Sequence, residues 1–131
     1  MILLDTCAII FAALKPEQLG RDASSEIFGA GAGRSLACSD ISLWEIAMLV
    51  SKGRITISAD PREFIARTLL AFRLDVLPIT PDIAVMAADD RLFIHKDPAD
   101  RIIASTSLHT GIPLITCDVN LRSVQNLKTV W

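Results

Sequence analysis

The stretch that most limits the fold runs from His95 to Asp118 and reads HKDPADRIIASTSLHTGIPLITCD. Asp97 is a favourable N-cap, and Pro98 has the fixed φ and missing N–H that suit a first helical position. Asp100 falls in the first turn, where the helix dipole favours an anion. Ile102, Ile103 and Leu108 supply a core-facing stripe until Gly111 and Pro113 stop the helix. Leu114 and Ile115, bounded by a proline and an aspartate, read as the centre of a short strand over 113–116, buried on both faces as in a parallel sheet. Helix followed by buried strand is the second half of a βαβ unit. Ligands of such sheets sit outside the carboxyl ends of the strands, and Asp118 falls just past one.

The rest of the chain continues this alternation. Met1 to Leu4 predicts a strand closed by Asp5, and Thr6 to Leu14 a helix broken by Lys15, Pro16 and Gly20. Arg21 to Ala30 predicts a second helix, bounded by Gly29, Gly31 and Gly33. That glycine cluster lacks the Gly-Lys-Ser/Thr ending of a phosphate loop and follows a helix, so it reads as a helix stop and loop. Ser35 to Ser39 is a second strand. Ser42-Leu43-Trp44-Glu45 reads as a capping box opening a helix that ends near Lys52 and Gly53. After an extended link over 54–58, a helix from Pro61 to Arg73 carries Phe64, Ile65, Thr68, Leu69 and Phe72 on one face. Val76 to Ile79 is a third strand, Pro81 to Asp90 a helix, Leu121 to Gln125 a helical turn, and Lys128 to Val130 a last strand. The order predicts an α/β protein, a three-layer α/β/α sandwich around a central parallel sheet of four to five short strands.

The 131 residues suit one domain, 1–131, with a substantial core. Although 51% of residues are hydrophobic and the mean hydropathy is +0.44, the apolar residues are scattered among charges and no run is long enough to cross a bilayer. The opening Met-Ile-Leu-Leu-Asp has no basic region, so no signal peptide and a soluble, cytoplasmic protein without membrane association are expected. High apolar content also suggests that a second subunit or a partner covers part of the surface. Three cysteines, Cys7, Cys38 and Cys117, show no Cys-x-x-Cys spacing and read as small apolar filler near strand ends rather than as a zinc or redox set. A net charge of −2 with dispersed basic residues gives no overall basic footprint for nucleic acid.

The acids are more informative than the bases. Asp5, Glu45, Asp100 and Asp118 each have an ordinary structural explanation, because acids are common at helix starts and after strands. Yet in a parallel sandwich all four fall on one edge of the sheet. Carboxylates that close cannot all ionise unless something cancels the repulsion, and the usual solution is a divalent cation. Oxygen-only ligation suits Mg²⁺ or Mn²⁺, and no imidazole or thiolate set for zinc is evident. Such sites hold phosphate oxygens and lower the pKa of a bound water, the nucleophile needed at a phosphodiester.

Leu-Leu-Asp-Thr at the start, Ser-x-x-Glu in mid-chain, His-Lys-Asp-Pro-Ala-Asp-Arg, and Pro-Leu-Ile-Thr-Cys-Asp together resemble the PIN domain, and its VapC-type toxin branch in particular. The resemblance covers essentially the whole chain. It implies a metal-dependent endoribonuclease, the toxin of a type II toxin-antitoxin pair, blocked by a small antitoxin protein and commonly a homodimer. Carried over by position, Asp5, Glu45, Asp100 and Asp118 match the family's acidic quartet, with Asp5 and Asp100 as principal ligands and Glu45 and Asp118 ligating directly or through water. Thr6 and Thr116 match hydroxyl positions near it.

Asp97 reads either as the N-cap before Pro98, the favoured reading, or as a fifth acid of the site. Arg101 reads as the ion-pair partner of a neighbouring acid, or else as a phosphate contact. His95 lies just ahead of the site and reads as a residue that helps with substrate, whereas His109 serves the C-terminus of its helix. RNA specificity would fall to loops and to scattered arginines such as Arg34, Arg54 and Arg62. A receiver-like domain would need an acid pair after the first strand, and a dehalogenase-type phosphatase an acid where Cys7 stands. A catalytically silent module of the same fold, acting only through partners, is the alternative from another class.

Overall fold

The computed structural model describes residues 1–29 and 33–131. The elements are β1 (Ile2–Leu4), α1 (Thr6–Leu14), a 3₁₀ turn at Pro16–Gln18, α2 (Arg21–Phe28), β2 (Leu36–Ser39), α3 (Asp40–Ser51), α4 (Pro61–Phe72), β3 (Asp75–Leu77), α5 (Pro81–Ala87), α6 (Pro98–Thr110), β4 (Leu114–Ile115), α7 (Val119–Arg122) and β5 (Thr129–Val130). The five strands form one sheet in the order β3-β2-β1-β4-β5, every neighbouring pair parallel.

Period-2 alternation in the strands builds the two faces. Ile2 and Leu4 of β1 join Leu36 and Cys38 of β2 in a core covered by Ala8, Ile9 and Ile10 of α1, Ala23 of α2 and Ile46 of α3. Phe64, Ile65, Leu69 and Phe72 of α4 pack against it from the face their spacing predicts. Leu3, Ala37 and Leu114 point the other way, onto Ile103 and Ala104 of α6, Leu121 of α7 and Phe93. The sandwich therefore has three layers, as expected, with β1 in the middle of the sheet and buried on both faces.

Element ends depart from the sequence reading where side chains compete with backbone bonds. The strands are shorter than expected: β2 begins at Leu36, β3 covers Asp75–Leu77, β4 only Leu114–Ile115 and β5 Thr129–Val130. Residues 54–58 link α3 to α4 without joining the sheet. Helix α2 ends at Phe28 with Gly29 as an extended C-cap, while Ala30, Gly31 and the expected extension of the glycine loop lie outside the described residues. Helix α5 stops at Ala87 rather than Asp90, because the Asp89 carboxylate takes the Arg91 N–H (2.9 Å) and turns the chain. Helix α7 starts at Val119, earlier than expected, because Asp118 caps it.

Helix α6 is bounded as the sequence reads. Asp97 accepts the Asp100 N–H (3.0 Å), Pro98 is the first helical residue, and Gly111 ends the helix at φ +74°, its N–H donating to the Ser107 carbonyl. A Cβ at Gly111 would meet nothing within 4 Å, so the cost of Gly111→Ala is conformational alone. That variant is expected to lose about 1 kcal/mol of stability, read as a lower urea midpoint with an unchanged m-value. An unchanged midpoint would show that the left-handed cap contributes nothing.

Candidate active site

Helix α3 corrects the reading of Glu45. The capping box is absent: the helix begins at Asp40, directly after β2, and Ser39 is the N-cap, its Oγ accepting the Ile41 N–H (3.3 Å). Ser42 is instead fully buried and shares a 3.1 Å hydrogen bond with Thr6 Oγ1, across 36 residues of sequence. Glu45 thus sits in the second turn rather than at the helix start, released from a capping role. Its carboxylate is reached by the Thr6 hydroxyl.

Around it the carboxyl ends of β1 and β4 deliver the other acids. Asp5, just past β1, is 4% exposed and caps α1 by accepting the Ala8 N–H (2.6 Å). Asp118, past β4, caps α7 through the N–H groups of Asn120 (2.7 Å) and Leu121 (3.1 Å). Thr116 connects the two: its Oγ1 accepts the Asp118 N–H (3.0 Å) and it hydrogen-bonds the Asp5 carboxylate. Asp100 comes from the first turn of α6.

Asp5, Thr6, Glu45, Asp97, Asp100 and Asp118 line one cavity of about 250 Å³ together with Cys7, Leu49 and Cys117. Glu45, Asp97 and Asp100 each present an oxygen, and these lie within 4.8 Å of one another. Asp97 therefore does both things the sequence allowed, capping α6 and standing in the acidic cluster. The three-residue step from Asp97 to Asp100 on a helical start is the signal that places them side by side. A cavity of about 340 Å³ between α5 and α6 is larger; Ile79, Ala84, Ala87, Ala88, Pro98 and Ile102 line it with Lys96 and Arg101, and among the described residues it holds no carboxylate, imidazole or thiol to ligate a metal.

No Lys, Arg or His lines the acidic cavity, and none of its five acids takes part in an ion pair among the described residues. The electrostatic consequence is direct. Burial, opposed by the Thr116 and Ala8 hydrogen bonds and reinforced by Asp118 and Glu45, pushes Asp5 up to about 6. Burial and then Asp97, Asp118, Glu45 and Asp5 push Asp100 up to about 7. Glu45 is raised by burial and Asp97, against the Thr6 hydrogen bond. The donor set is carboxylate oxygen with excess negative charge, which fits a hard divalent cation.

The remaining expectations separate. Arg101 makes an ion pair, but with Asp90 (2.8 Å) rather than with a site acid, and its other N–H groups hold the carbonyls of His95 (2.9 Å) and Phe93 (3.3 Å). His95 lines a neighbouring groove rather than the acidic cavity. His109, in the last turn of α6, stands 3.9 Å from Asp82. Cys38 is core filler, fully buried in the first core, which corrects its placement beside the site. Cys7 and Cys117 do line the cavity. Cys7 is exposed as a residue, yet desolvation of its thiol at the cavity wall and next the Asp5 carboxylate push the thiol up to about 12. Cys7 is expected to alkylate far more slowly than a free thiol at pH ~8, and faster once a divalent cation offsets the carboxylates. A rate equal to that of a model thiol, unchanged by Mg²⁺, would contradict this charge balance.

Among the described residues no helix is long and apolar enough to cross a membrane. The PIN domain family matches the chain over residues 2–127. The chain is 32% identical, over 132 residues, to Ribonuclease VapC22 of Mycobacterium tuberculosis (strain ATCC 25618 / H37Rv), covering 99% of this chain and 98% of that protein. Its fold is similar to that of VapBC2 from Rickettsia felis bound to a DNA fragment from their promoter (TM-score 0.72, 20% identity, 99% of this chain and 98% of that one). It is also similar to a toxin-antitoxin complex from Klebsiella pneumoniae (TM-score 0.66, 22% identity, 100% and 97%) and to DNA-bound VapBC from Salmonella typhimurium (TM-score 0.70, 19% identity, 99% and 98%). The motifs at both ends of the chain and the near-complete match agree: the chain belongs to the PIN domain family, as a homologue of a VapC ribonuclease.

Proposed function

We propose that this protein is an endoribonuclease hydrolysing RNA phosphodiester bonds with Mg²⁺ or Mn²⁺, and the toxin of a type II toxin-antitoxin pair. The observation that carries the reading is the cavity of five carboxylates without a single cation in its wall. An acid cluster left uncompensated by protein charge is a poor structural device and a good seat for a hard divalent ion. Asp5, Asp100, Glu45 and Asp118 would hold it, with Asp97 a fifth oxygen donor at the rim. When bound, the ion supplies affinity for phosphate oxygens and a water acidic enough to attack phosphorus near neutral pH.

The chain's own groups prepare that site. The Asp5 N–H donates to the Ile115 carbonyl (3.1 Å) in the β1–β4 ladder and so fixes the spacing of the two strand ends, while the Thr116 hydroxyl beside the Asp5 carboxylate accepts the Asp118 N–H. The Thr6–Ser42 pair does the same for Glu45 against β1. Asp97 and Asp5 orient the first turns of α6 and α1 through their caps, so the acids sit on rigid elements rather than on loops. The relative's ribonuclease identity, at 32% over nearly the full length, supports RNA as substrate. The likeness to a toxin-antitoxin complex supports a small antitoxin as partner. Exposed Phe28, Trp44 and Leu70 offer apolar surface for such a partner or for a second copy in a homodimer.

The experiment is incubation of a mixed structured and single-stranded RNA pool with Mg²⁺, with Mn²⁺ and with EDTA. Cuts that need the metal are the expected result. Cuts that persist in EDTA, or no cut in any arm by protein shown to bind the metal, would overturn the reading.

A further inference from the structure

Beside the acidic cavity runs a second one, of about 280 Å³, between the 91–95 loop and α7. We propose that this groove seats the base of the nucleotide next to the scissile phosphate and so reads RNA sequence. The proposal rests on the ribonuclease reading above.

Its position is fixed by the chain. His95 on one wall stands two residues before Asp97, and Asn120 on the other stands two residues after Asp118. Two residues of chain span at most about 7 Å, so the groove opens beside the acids that would hold the phosphate. Asn120 is bound there directly, its N–H donating to Asp118 Oδ1 at 2.7 Å.

Its chemistry differs from that of the acidic cavity beside it. No acid lines it, although five acids line its neighbour. The Asn120 and Gln125 amides each carry donors and an acceptor, the mixed pattern that matches the edge of an unpaired base. Ile94, wholly exposed, and Val124 offer apolar surface against which a base can lie. The His95 ring completes the wall, and its Nε2 is shut off from water with no hydrogen-bond partner among the described residues. A buried polar atom left unpaired is uncommon and costly, and a ring turn toward a ligand in the groove would give it a partner.

The loop has no regular secondary structure but is held. Arg101, 11% exposed, bonds the carbonyls of His95 and Phe93, and its guanidinium lies 5.7 Å from the centre of the buried Phe93 ring. A buried arginine spent on fixing this loop gives the groove a set shape before any ligand arrives, which lowers the ordering cost of binding. Arg91 at the rim is engaged by Asp89 through Nε and Nη2. Arg122 of α7 is exposed and has no ion-pair partner among the described residues.

Two readouts test this. The chain has only two histidines, His95 at the groove and His109 near the far end of α6, about 17 Å along the helix from its first residue. Labelled imidazole NMR on tag-free Asp100→Asn protein, titrated with a random hexaribonucleotide pool, is expected to move the His95 resonances and leave His109 still. In parallel, cut ends are mapped on a randomised RNA with wild type and with Asn120→Ala/Gln125→Ala, both exposed positions. The double variant is expected to lose roughly tenfold in discrimination at the base beside the cut. A silent His95, or equal shifts at both histidines, would overturn the groove, as would unchanged base preference in the variant. Absence of cutting by wild type with His95 still shifting would sink the ribonuclease reading and leave the binding groove standing.

Discussion

Asp100→Asn is expected to abolish metal-dependent RNA cleavage, by roughly 10³-fold or more, and to leave a folded protein at least as stable as the wild type. The two halves of this result have one cause. Asp100 is raised to about 7 because it is partly buried among Asp97, Asp118, Glu45 and Asp5, so in the metal-free protein its negative charge is a liability. Asparagine keeps the shape and the backbone N–H that Asp97 caps, and removes the charge. The same substitution takes away a hard anionic ligand that a neutral amide replaces poorly. Asp5→Asn is expected to behave alike, since asparagine also caps helices and the Ala8 N–H would keep an acceptor. Asp82→Asn, outside the cavity, is the control and should cut at wild-type rate. Cleavage by Asp100→Asn within tenfold of wild type would remove Asp100 from the site, and loss of cleavage accompanied by unfolding would show its role to be structural.

How far the sequence reaches is clearest at the two ends of this site. The end built from β1, α6 and β4 was legible because its determinants are local. An apolar triplet before Asp5, Asp97-Pro98 before a helical stripe, and Gly111-Ile112-Pro113 before a buried pair each settle their own geometry within a few residues. The end built from α3 was not. Ser42 and Glu45 match a capping box in spacing, but Ser39 lies at the last position of a buried strand and caps first, so the helix is already running when the chain reaches Ser42. What Ser42 does instead depends on Thr6, and nothing near either residue announces the pair.

Arg101 and the cysteines teach the same point about charge and burial. The spacing of the DPADR motif sets Arg101 one residue from Asp100, which suggests a partner in the site. Helical geometry turns neighbours apart by about 100°, so Arg101 meets Asp90 across a loop while Asp100 faces the cavity. Cys38 falls within a fully buried strand and disappears into the core, whereas Cys7 and Cys117 lie past strand ends and line the cavity. A residue's place in the strand, inside or just past its end, decided its role, and strand ends are what sequence reads least well.

Stability should fall as pH rises from about 4 to about 7 in the metal-free protein, against the usual behaviour of carboxylates, and a divalent cation should reverse the trend. Asp5 and Asp100 start from ordinary values of 3.8 and are raised to about 6 and about 7 in the fold. Between those limits the native state holds protons that the unfolded chain has lost, and stability then declines with pH. For Asp5, the more completely buried of the two, the decline is on the order of 3 kcal/mol and is complete once pH exceeds about 6. Asp5→Asn removes that part of the slope, so the difference between the two proteins isolates it from other titrating groups. Metal binding to the ionised cluster adds roughly 2.7 kcal/mol at a hundredfold excess over Kd. It should do so near pH 8 and not near pH 4, where protons occupy the ligands. Denaturation of wild type and Asp5→Asn at both pH values, with MgCl₂ and with EDTA, reads all four quantities. Parallel pH profiles for the two proteins would mean that Asp5 is an ordinary carboxylate, and equal Mg²⁺ stabilisation at both pH values would mean that the ion binds away from the buried acids. Opposite slopes with and without Mg²⁺, both shallower in Asp5→Asn where Asp100 alone of the pair still titrates, are the expected outcome and tie the buried charge to the metal without measuring catalysis at all.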